Sequence, residues 1–571
     1  GGSYDAGRLR ISADVARTDS KFTGSTESVD RTVVGGQTID FDVATPQFNI
    51  RNFDAANPAN YRFDGFYEEA QISKGDDWQA RLDAEYETQL SFLPRVMAGI
   101  RYTNRDAHRE FGNRFAGYRP QNLPLSAVPL DFELFRPGFR GTDIQPFRTF
   151  LAPTYQSIRD NRVAMRQFVI SHPASFGFPN DGHAFTVNDP APNPTDTYDA
   201  TEETLAGYVQ VDYKIGEAID GVIGLRAVKT SSDITGTSLV AQADPDGGGP
   251  LPAPPSIFTP VSVGQSYTDW LPNVSLRWHI TPEVQLRLSA TETRTRPTFG
   301  QLNPSASLGA PPGSCNPSGD PFACARRGGG GNPFLQPFTS RNYDASLEYY
   351  FSRTGFVSVA AFRRDLKGFI QNQELRYIDP TLGPLIVNGP VNTGKGRIDG
   401  FEAQISTFFD FEFLPDWARS FGAQANVTYL DAKTGFPTGG GDFQLDRILG
   451  VAKWTYNLVG MYENGGVSAR LSYNKRGSSI ETRQLRGNQA DPNDFGNDFY
   501  FERAEPAGRL DLSTSYALTD KFTVFFDWTN ILENPFKQVL SSARQGKARS
   551  EYIRFLRFEE TTYSLGVRFR F

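Results

Sequence analysis

Between residues 106 and 200 the chain carries side chains suited to gripping a small polar solute: Tyr118, Arg119, Phe132, Phe135, Arg136, Phe139, Arg140 and Tyr155. Aromatic faces stack on sugar rings, and the arginine fork binds a carboxylate or phosphate through two hydrogen bonds at once. The same residues also suit loop–loop packing, or a rim beside lipopolysaccharide where long side chains cover apolar surface with their stems.

Other chemistries are sparsely provided. Cys315 and Cys324 have eight residues between them in a Gly/Pro-rich stretch. The reading expects one disulfide closing an exposed loop in an oxidising compartment, with two free thiols as the alternative. Asp491, Asn493, Asp494 and Asp498 offer oxygen ligands of the kind Ca²⁺ takes, or form a merely solvated acidic loop. The histidines are His108, His172, His183 and His279, with no metal-ligand spacing, and no Gly-x-Ser-x-Gly nucleophile motif occurs. Gly328–Gly331 reads as a flexible loop. The expectation is therefore a protein that is not an enzyme and carries no cofactor.

The elements that must position these residues are strands. In the last eleven residues, Tyr563, Leu565, Val567, Phe569 and Phe571 fall on one face, opposite Thr562, Ser564, Gly566, Arg568 and Arg570. The same alternation recurs upstream. Phe522, Val524, Phe526 and Trp528 share a face; so do Val467, Leu471 and Tyr473, and Phe401, Ala403 and Ile405. Leu347 and Tyr349, Leu286 and Leu288, Val274 and Trp278, Val209 and Val211, and Trp78, Leu82 and Tyr86 repeat it. Arg, Asp, Glu or Gln occupy nearly every opposite face. These runs reach about ten residues, the length a tilted strand needs to cross a bilayer, and short turns alternate with long segments, as in a membrane barrel.

The short turns are expected near 92–95, 216–220, 281–283, 352–355, 411–420, 463–466 and 519–521. The long segments are expected at 106–200, 234–266, 297–340, 371–395, 433–448, 480–506 and 532–560. About fifteen strands are legible from Trp78 onward. Gly7–Arg17, Val33–Val43 and Asp64–Ser73 are two or three more, giving about 17–18. No run of apolar residues is long enough for a transmembrane helix, and a mean hydropathy of −0.44 fits strands in which only alternate residues face lipid. The 46 Phe and 23 Tyr among 571 residues suit strands and interfacial girdles, and the net charge of −7 argues against a nucleic-acid partner. The chain opens Gly1-Gly2-Ser3-Tyr4-Asp5 without a basic or an apolar leader region, so a processed product, or one whose start is missing, is expected.

A succession of motifs then resembles a known family. Thr293-Arg294-Thr295-Arg296-Pro297 is followed by Asn332-Pro333-Phe334-Leu335-Gln336-Pro337. Then come Asn342 within Ser340–Phe351, Gly396-Arg397-Ile398-Asp399-Gly400-Phe401-Glu402, and Asn530 within Trp528–Asn534. Over residues 64–571 this resembles the barrel half of TonB-dependent outer-membrane receptors, most of all the branch common in proteobacteria of the Caulobacter, Sphingomonas and Xanthomonas type. In physical terms the Asn-Pro-x-Leu-x-Pro run stiffens a loop descending into a strand. Gly396 and Gly400 allow close backbone approach or a kink. All the motif residues can equally be loop-shaping residues without ligand contact.

The resemblance implies an all-β transmembrane antiparallel barrel in the bacterial outer membrane, with 22 strands in the family. It makes the terminal aromatic row, Tyr563 to Phe571, an assembly signal. It implies contact with lipid and lipopolysaccharide, and coupling to TonB through an N-terminal segment and plug domain not recognisable here. Residues 1–571 would then be the barrel domain, with 106–200 and 297–340 as extracellular loops, the second holding the disulfide. The implied function is TonB-dependent active uptake of a scarce nutrient, a glycan or similar organic compound. A ferric-siderophore receptor and a plugless diffusive porin or structural barrel are the alternatives.

Overall fold

The structure is a computed structural model; it describes residues 1–570 apart from 43–46, 137–145, 173, 175, 179–184, 243–254, 313–319, 411, 438–442, 487–497 and 544–549. One antiparallel wall dominates it. The wall begins with β1 (Gly2–Ala6), β2 (Leu9–Val33), β3 (Tyr61–Glu87), β4 (Arg95–Gly117), β5 (Tyr198–Ile215) and β6 (Ile219–Val240). It continues through β7 (Ile257–His279), β8 (Val284–Thr295), β9 (Phe338–Tyr350), β10 (Phe356–Asp379), β11 (Gly383–Phe408) and β12 (Phe421–Pro437). β13 (Trp454–Asn464), β14 (Val467–Arg476), β15 (Ala507–Thr519), β16 (Phe522–Thr529) and β17 (Thr562–Phe569) complete it.

Each strand pairs antiparallel with the next in this series. The main sheet counts 22 strands, but that number includes short inserts such as Ala306–Leu308 and Arg326–Gly330. The wall itself is the seventeen named above. Among the described residues no pairing joins β17 to β1.

The alternation read from sequence is a real division of faces. Trp78, Leu82 and Tyr86 on β3, Ile100 and Tyr102 on β4, Val274 and Trp278 on β7, and Leu458 on β13 all lie exposed. So do Tyr563, Leu565, Val567 and Phe569 on β17. A belt of large apolar side chains open to the surroundings is what lipid requires. The opposite row is polar and cross-linked between strands: Arg95 reaches Asp212 (2.7 Å), Arg277 reaches Asp220 (3.0 Å) and Arg287 reaches Glu348 (2.9 Å). This is an all-β outer-membrane barrel wall. The turns at its lower end are short, as expected, and Gly216, Gly465 and Gly466 take the left-handed backbone there.

The upper end departs from expectation. β3 has 27 residues and β11 has 26, more than twice the roughly ten needed to cross a bilayer. Much of what read as long loop is therefore strand. Residues 106–117 belong to β4. Most of 371–395 is the β10–β11 hairpin. Within 480–506 and 532–560, Ser479–Arg486, Asp498–Ala504, Phe536–Ala543 and Ser550–Arg557 form a separate four-stranded sheet. Asp64–Ser73 and the Trp78 strand are one element. Lys74-Gly75-Asp76-Asp77 looks like a break, yet it pairs on both sides, with 18–21 and with 105–108. Val33–Val43 is not a wall strand; Ile39–Asp42 forms a small hairpin with Gln47–Ile50 instead. Above the lipid a strand face meets water or other protein segments rather than lipid, as at buried Phe66 and Arg114, so the apolar–polar alternation that marks it disappears.

Candidate functional site

Two long segments between wall strands fold very differently. The first, after β4, builds a cap. Thr154 accepts a hydrogen bond from the Ser157 amide and starts α1 (Tyr155–Asp160); α2 (Arg162–Ser171) follows and buries Met165, Phe168 and Val169 at helical spacing. These pack on Val29, Phe63, Phe66, Ala116 and Tyr118. Beneath them Glu68 is buried with two arginines. Arg114 donates to one of its oxygens (2.7 Å) and Arg166 to the other (2.8 Å), while Arg166 also reaches Asp189 (2.7 Å). Arg114 donates further to the Thr186 and Asn188 carbonyls. The ladder between β3 and β4 runs without a register shift, so Phe66, Glu68 and Arg114 share the parity of Trp78 and Tyr102. The cap thus covers the face that carries the lipid row lower down.

This changes the meaning of the aromatic and arginine residues picked out in the sequence. Tyr118 is fully buried between Phe63 and Phe168 and offers no open ring face; burial pushes its hydroxyl pKa up to about 12. Phe132 packs against the apolar clusters of the cap. Phe135 is exposed, its ring 5.6 Å from that of Phe150. Arg119 sits 3.3 Å from Asp64. Arg136 is exposed, and Tyr155 is 78% exposed. Phe139 and Arg140 lie outside the described residues. The described members of the set do not converge on one pocket, because burying aromatic surface stabilises the cap more than leaving it open to water.

The described residues of the second segment, 296–312 and 320–337, cross the lumen side. Thr298 and Gln301 form a reciprocal capping box that starts the turn Phe299–Leu302. Ala306–Leu308 pairs in parallel with the top of β6 and antiparallel with Arg326–Gly330, which pairs in parallel with β11. The result is a bridge from β6 to β11. The glycine run expected to be flexible is part of this ladder. A Cβ at Gly328 would strike the Ser307 carbonyl and one at Gly330 the Ser305 carbonyl, so only glycine lets the strands meet.

Leu302 and Leu335 seal the bridge onto Ala200 and Ile234. Below them is a pocket of about 420 Å³. Its walls are in-register rows of lumen-parity residues: Asp77 and Arg105 with Glu202 behind them, then Gln79, Thr103, Thr204 and Thr230, then Arg101 and Asp269. Arg226, Arg294 and Arg296 complete it. Arg105 stacks over Phe299 (5.4 Å), tying the pocket to the bridge. A larger cavity of about 640 Å³ lies lower on the wall, but there Arg277 and Arg287 are matched by the acids named above. The upper pocket is the better candidate because its polar groups are less completely satisfied.

The family model described as TonB dependent receptor-like, beta-barrel, matches residues 12–531. The chain belongs to the TonB-dependent receptor β-barrel family. As a member of it, this wall lies in the bacterial outer membrane. No curated protein matches the chain. Among solved structures, FpvA of P. aeruginosa bound to heterologous pyoverdines has a TM-score of 0.51 at 11% identity, over 99% of this chain and 54% of that one. The FpvAI–pyocin S2 complex has 0.49 at 12%, over 99% and 56%. The unliganded ferric citrate transporter FecA has 0.46 at 13%, over 89% and 60%. The chain therefore spans less than two thirds of the length of each.

The motif residues that resemble this receptor family shape the loops and the wall. Arg296 pairs with Glu202 (2.9 Å), and Pro297 leads into the capping box. The Asn332 side chain donates to Pro390 O (3.1 Å) and accepts from the Phe334 amide, so the Asn332-Pro333 turn docks Leu335 into its cluster before Pro337 enters β9. Asn342 bonds Thr291 and Thr293 across the β8–β9 ladder. Gly396 and Gly400 leave room for the rings of Phe369 and Phe362, and Glu402 is exposed beside them. Asn530 adopts φ 54° and holds the carbonyls of Glu559 and Glu560. Cys324 is not a free thiol; Cys315, Phe571, Asp491, Asn493 and Asp494 lie outside the described residues. Asp498 opens the strand Asp498–Ala504.

The pocket residues Asp77, Arg101, Arg226 and Asp269 were not singled out from sequence. Their one signal was parity: Asp77 is opposite Trp78, and Asp269 is opposite Trp270.

Proposed function

We propose that this receptor barrel serves TonB-dependent active uptake across the outer membrane, and that it transports rather than catalyses. The nutrient is a scarce, hydroxyl-rich organic compound of the glycan kind, taken through the lumen. The observation that carries this is the lumen pocket beneath the bridge. Its wall alternates arginine, carboxylate, amide and threonine groups, which suits a ligand offering many hydroxyls. TonB is the energy-coupling partner, and lipid and lipopolysaccharide surround the exposed apolar belt.

The test is uptake of radiolabelled oligosaccharides by cells with and without this receptor, TonB and a protonophore. Receptor-dependent uptake that stops without TonB or with the protonophore is expected. Uptake that survives both treatments would mean diffusion through an open pore. Growth rescue by ferric siderophores alone, without oligosaccharide uptake, would overturn the glycan assignment.

A further inference from the structure

The pocket beneath the bridge holds more arginine than its acids match. Glu202 is shared by Arg105 (3.4 Å) and Arg296 (2.9 Å). Arg294 is held by Asp269 and Glu292, both at 2.9 Å. Arg101 donates to the neutral amide of Gln79. Arg226 meets no carboxylate among the described residues, although it lines the same cavity. A guanidinium stays charged at any physiological pH. Among the described residues, Arg101 and Arg226 are therefore lumen-facing cations without a carboxylate partner.

On the strand next to that of Arg101, an acceptor lacks a donor. Asp77 accepts from Gln79 through Oδ2 (2.7 Å), but its Oδ1 has no hydrogen-bond partner among the described residues. A buried acceptor without a donor is unfavourable, and in a site it marks a place where a ligand hydroxyl belongs. Thr103 and Thr204 bond to each other across the β4–β5 ladder, in the row of Gln79. The complementary solute carries an oxyanion and a neighbouring hydroxyl, within about 420 Å³.

We propose that this pocket binds an acidic sugar residue, its carboxylate gripped by Arg101 and Arg226 and a ring hydroxyl donated to Asp77. The inference rests on the glycan reading above and narrows it to acidic glycans. The arginine fork matches a planar carboxylate through paired bonds. A sulfate ester would bring the same charge without that planar match.

The test is isothermal titration of the full-length receptor, purified from outer membranes, with trigalacturonate, neutral galactotriose and sulfated galactotriose. Trigalacturonate is expected to bind at least about tenfold more tightly than galactotriose. Arg226→Gln and Arg101→Gln are each expected to weaken it by about 10- to 100-fold, the effect of one charged hydrogen bond. Arg226→Lys should keep part of the affinity, and Arg287→Gln in the lower cavity should change nothing. Heat-modifiable gel mobility verifies that each variant is folded. Equal binding of acidic and neutral trimers, or no binding of any of the three, overturns the proposal. A sulfated trimer that binds more tightly than trigalacturonate overturns the carboxylate assignment. Binding needs neither TonB nor a proton gradient. Failed binding with intact energised uptake would therefore sink this site alone, whereas retained binding without uptake would sink the transport reading.

Discussion

The cap of residues 118–197 and the bridge of 296–337 make an instructive pair. The cap has the composition expected of a binding loop, rich in Phe, Tyr and Arg. It uses Tyr118, Phe132 and Phe168 in its core and Arg166 to neutralise Glu68. The bridge has the composition of a flexible linker, rich in Gly and Pro. It forms ordered strands across the lumen side and roofs the polar pocket. Composition shows which side chains are available; their parity on the wall strands decides whether they meet a core or a ligand.

The comparison can be broken at the cap first. Glu68→Ala would strand two buried arginines, a loss of about 3–5 kcal/mol for a broken buried ion pair. Limited proteolysis should then cut within 118–197 while the wall keeps its folded mobility; a cap that stays protected would mean that the apolar cluster alone holds it. Tyr118→Ala should cost the cap about 3 kcal/mol through lost packing and leave ligand affinity unchanged. A drop in affinity without destabilisation would restore Tyr118 as a binding residue.

The bridge offers a smaller effect. Gly328→Val sets a side chain against the Ser307 carbonyl, and overpacking of this kind costs about 1–3 kcal/mol. Hydrogen exchange should accelerate at 306–308 and 326–330 and stay slow in the wall. Unchanged protection there would mean that the bridge does not depend on the missing Cβ.

Alkaline titration sharpens the same contrast. Tyr118 is held neutral by burial, with its pKa pushed up to about 12 from the ordinary 10.0. The unfolded cap ionises this hydroxyl first. The stability it contributes is complete below pH 10 and is lost between about 10 and 12. Tyrosinate absorbance and cap proteolysis should rise together in that window, and Tyr118→Phe should remove the coupling. The smallest effect is expected at Tyr155, which is 78% exposed. Tyr155→Ser should change cap stability by no more than about 0.5 kcal/mol, measured by the same protease assay.

The sequence by itself determined the membrane wall. Period-two alternation in strands such as β3 and β17 is imposed by lipid on one face and water on the other, and such a pattern survives in a linear chain. It also determined the positions of the short turns and, through the Arg296-Pro297 and Asn332-Pro333 motifs, the family. Only the tertiary structure decided what happens above the lipid. There the outer face meets the cap instead of lipid, with buried Arg114 and Ala116 on it, alternation is lost, and strands such as 106–117 read as loop. The bridge depends on a carbonyl-to-glycine fit between distant segments. The pocket depends on the register of six neighbouring strands, which brings Asp77, Arg101 and Arg226 together from positions far apart in the chain. Local periodicity carries no record of such long-range pairing.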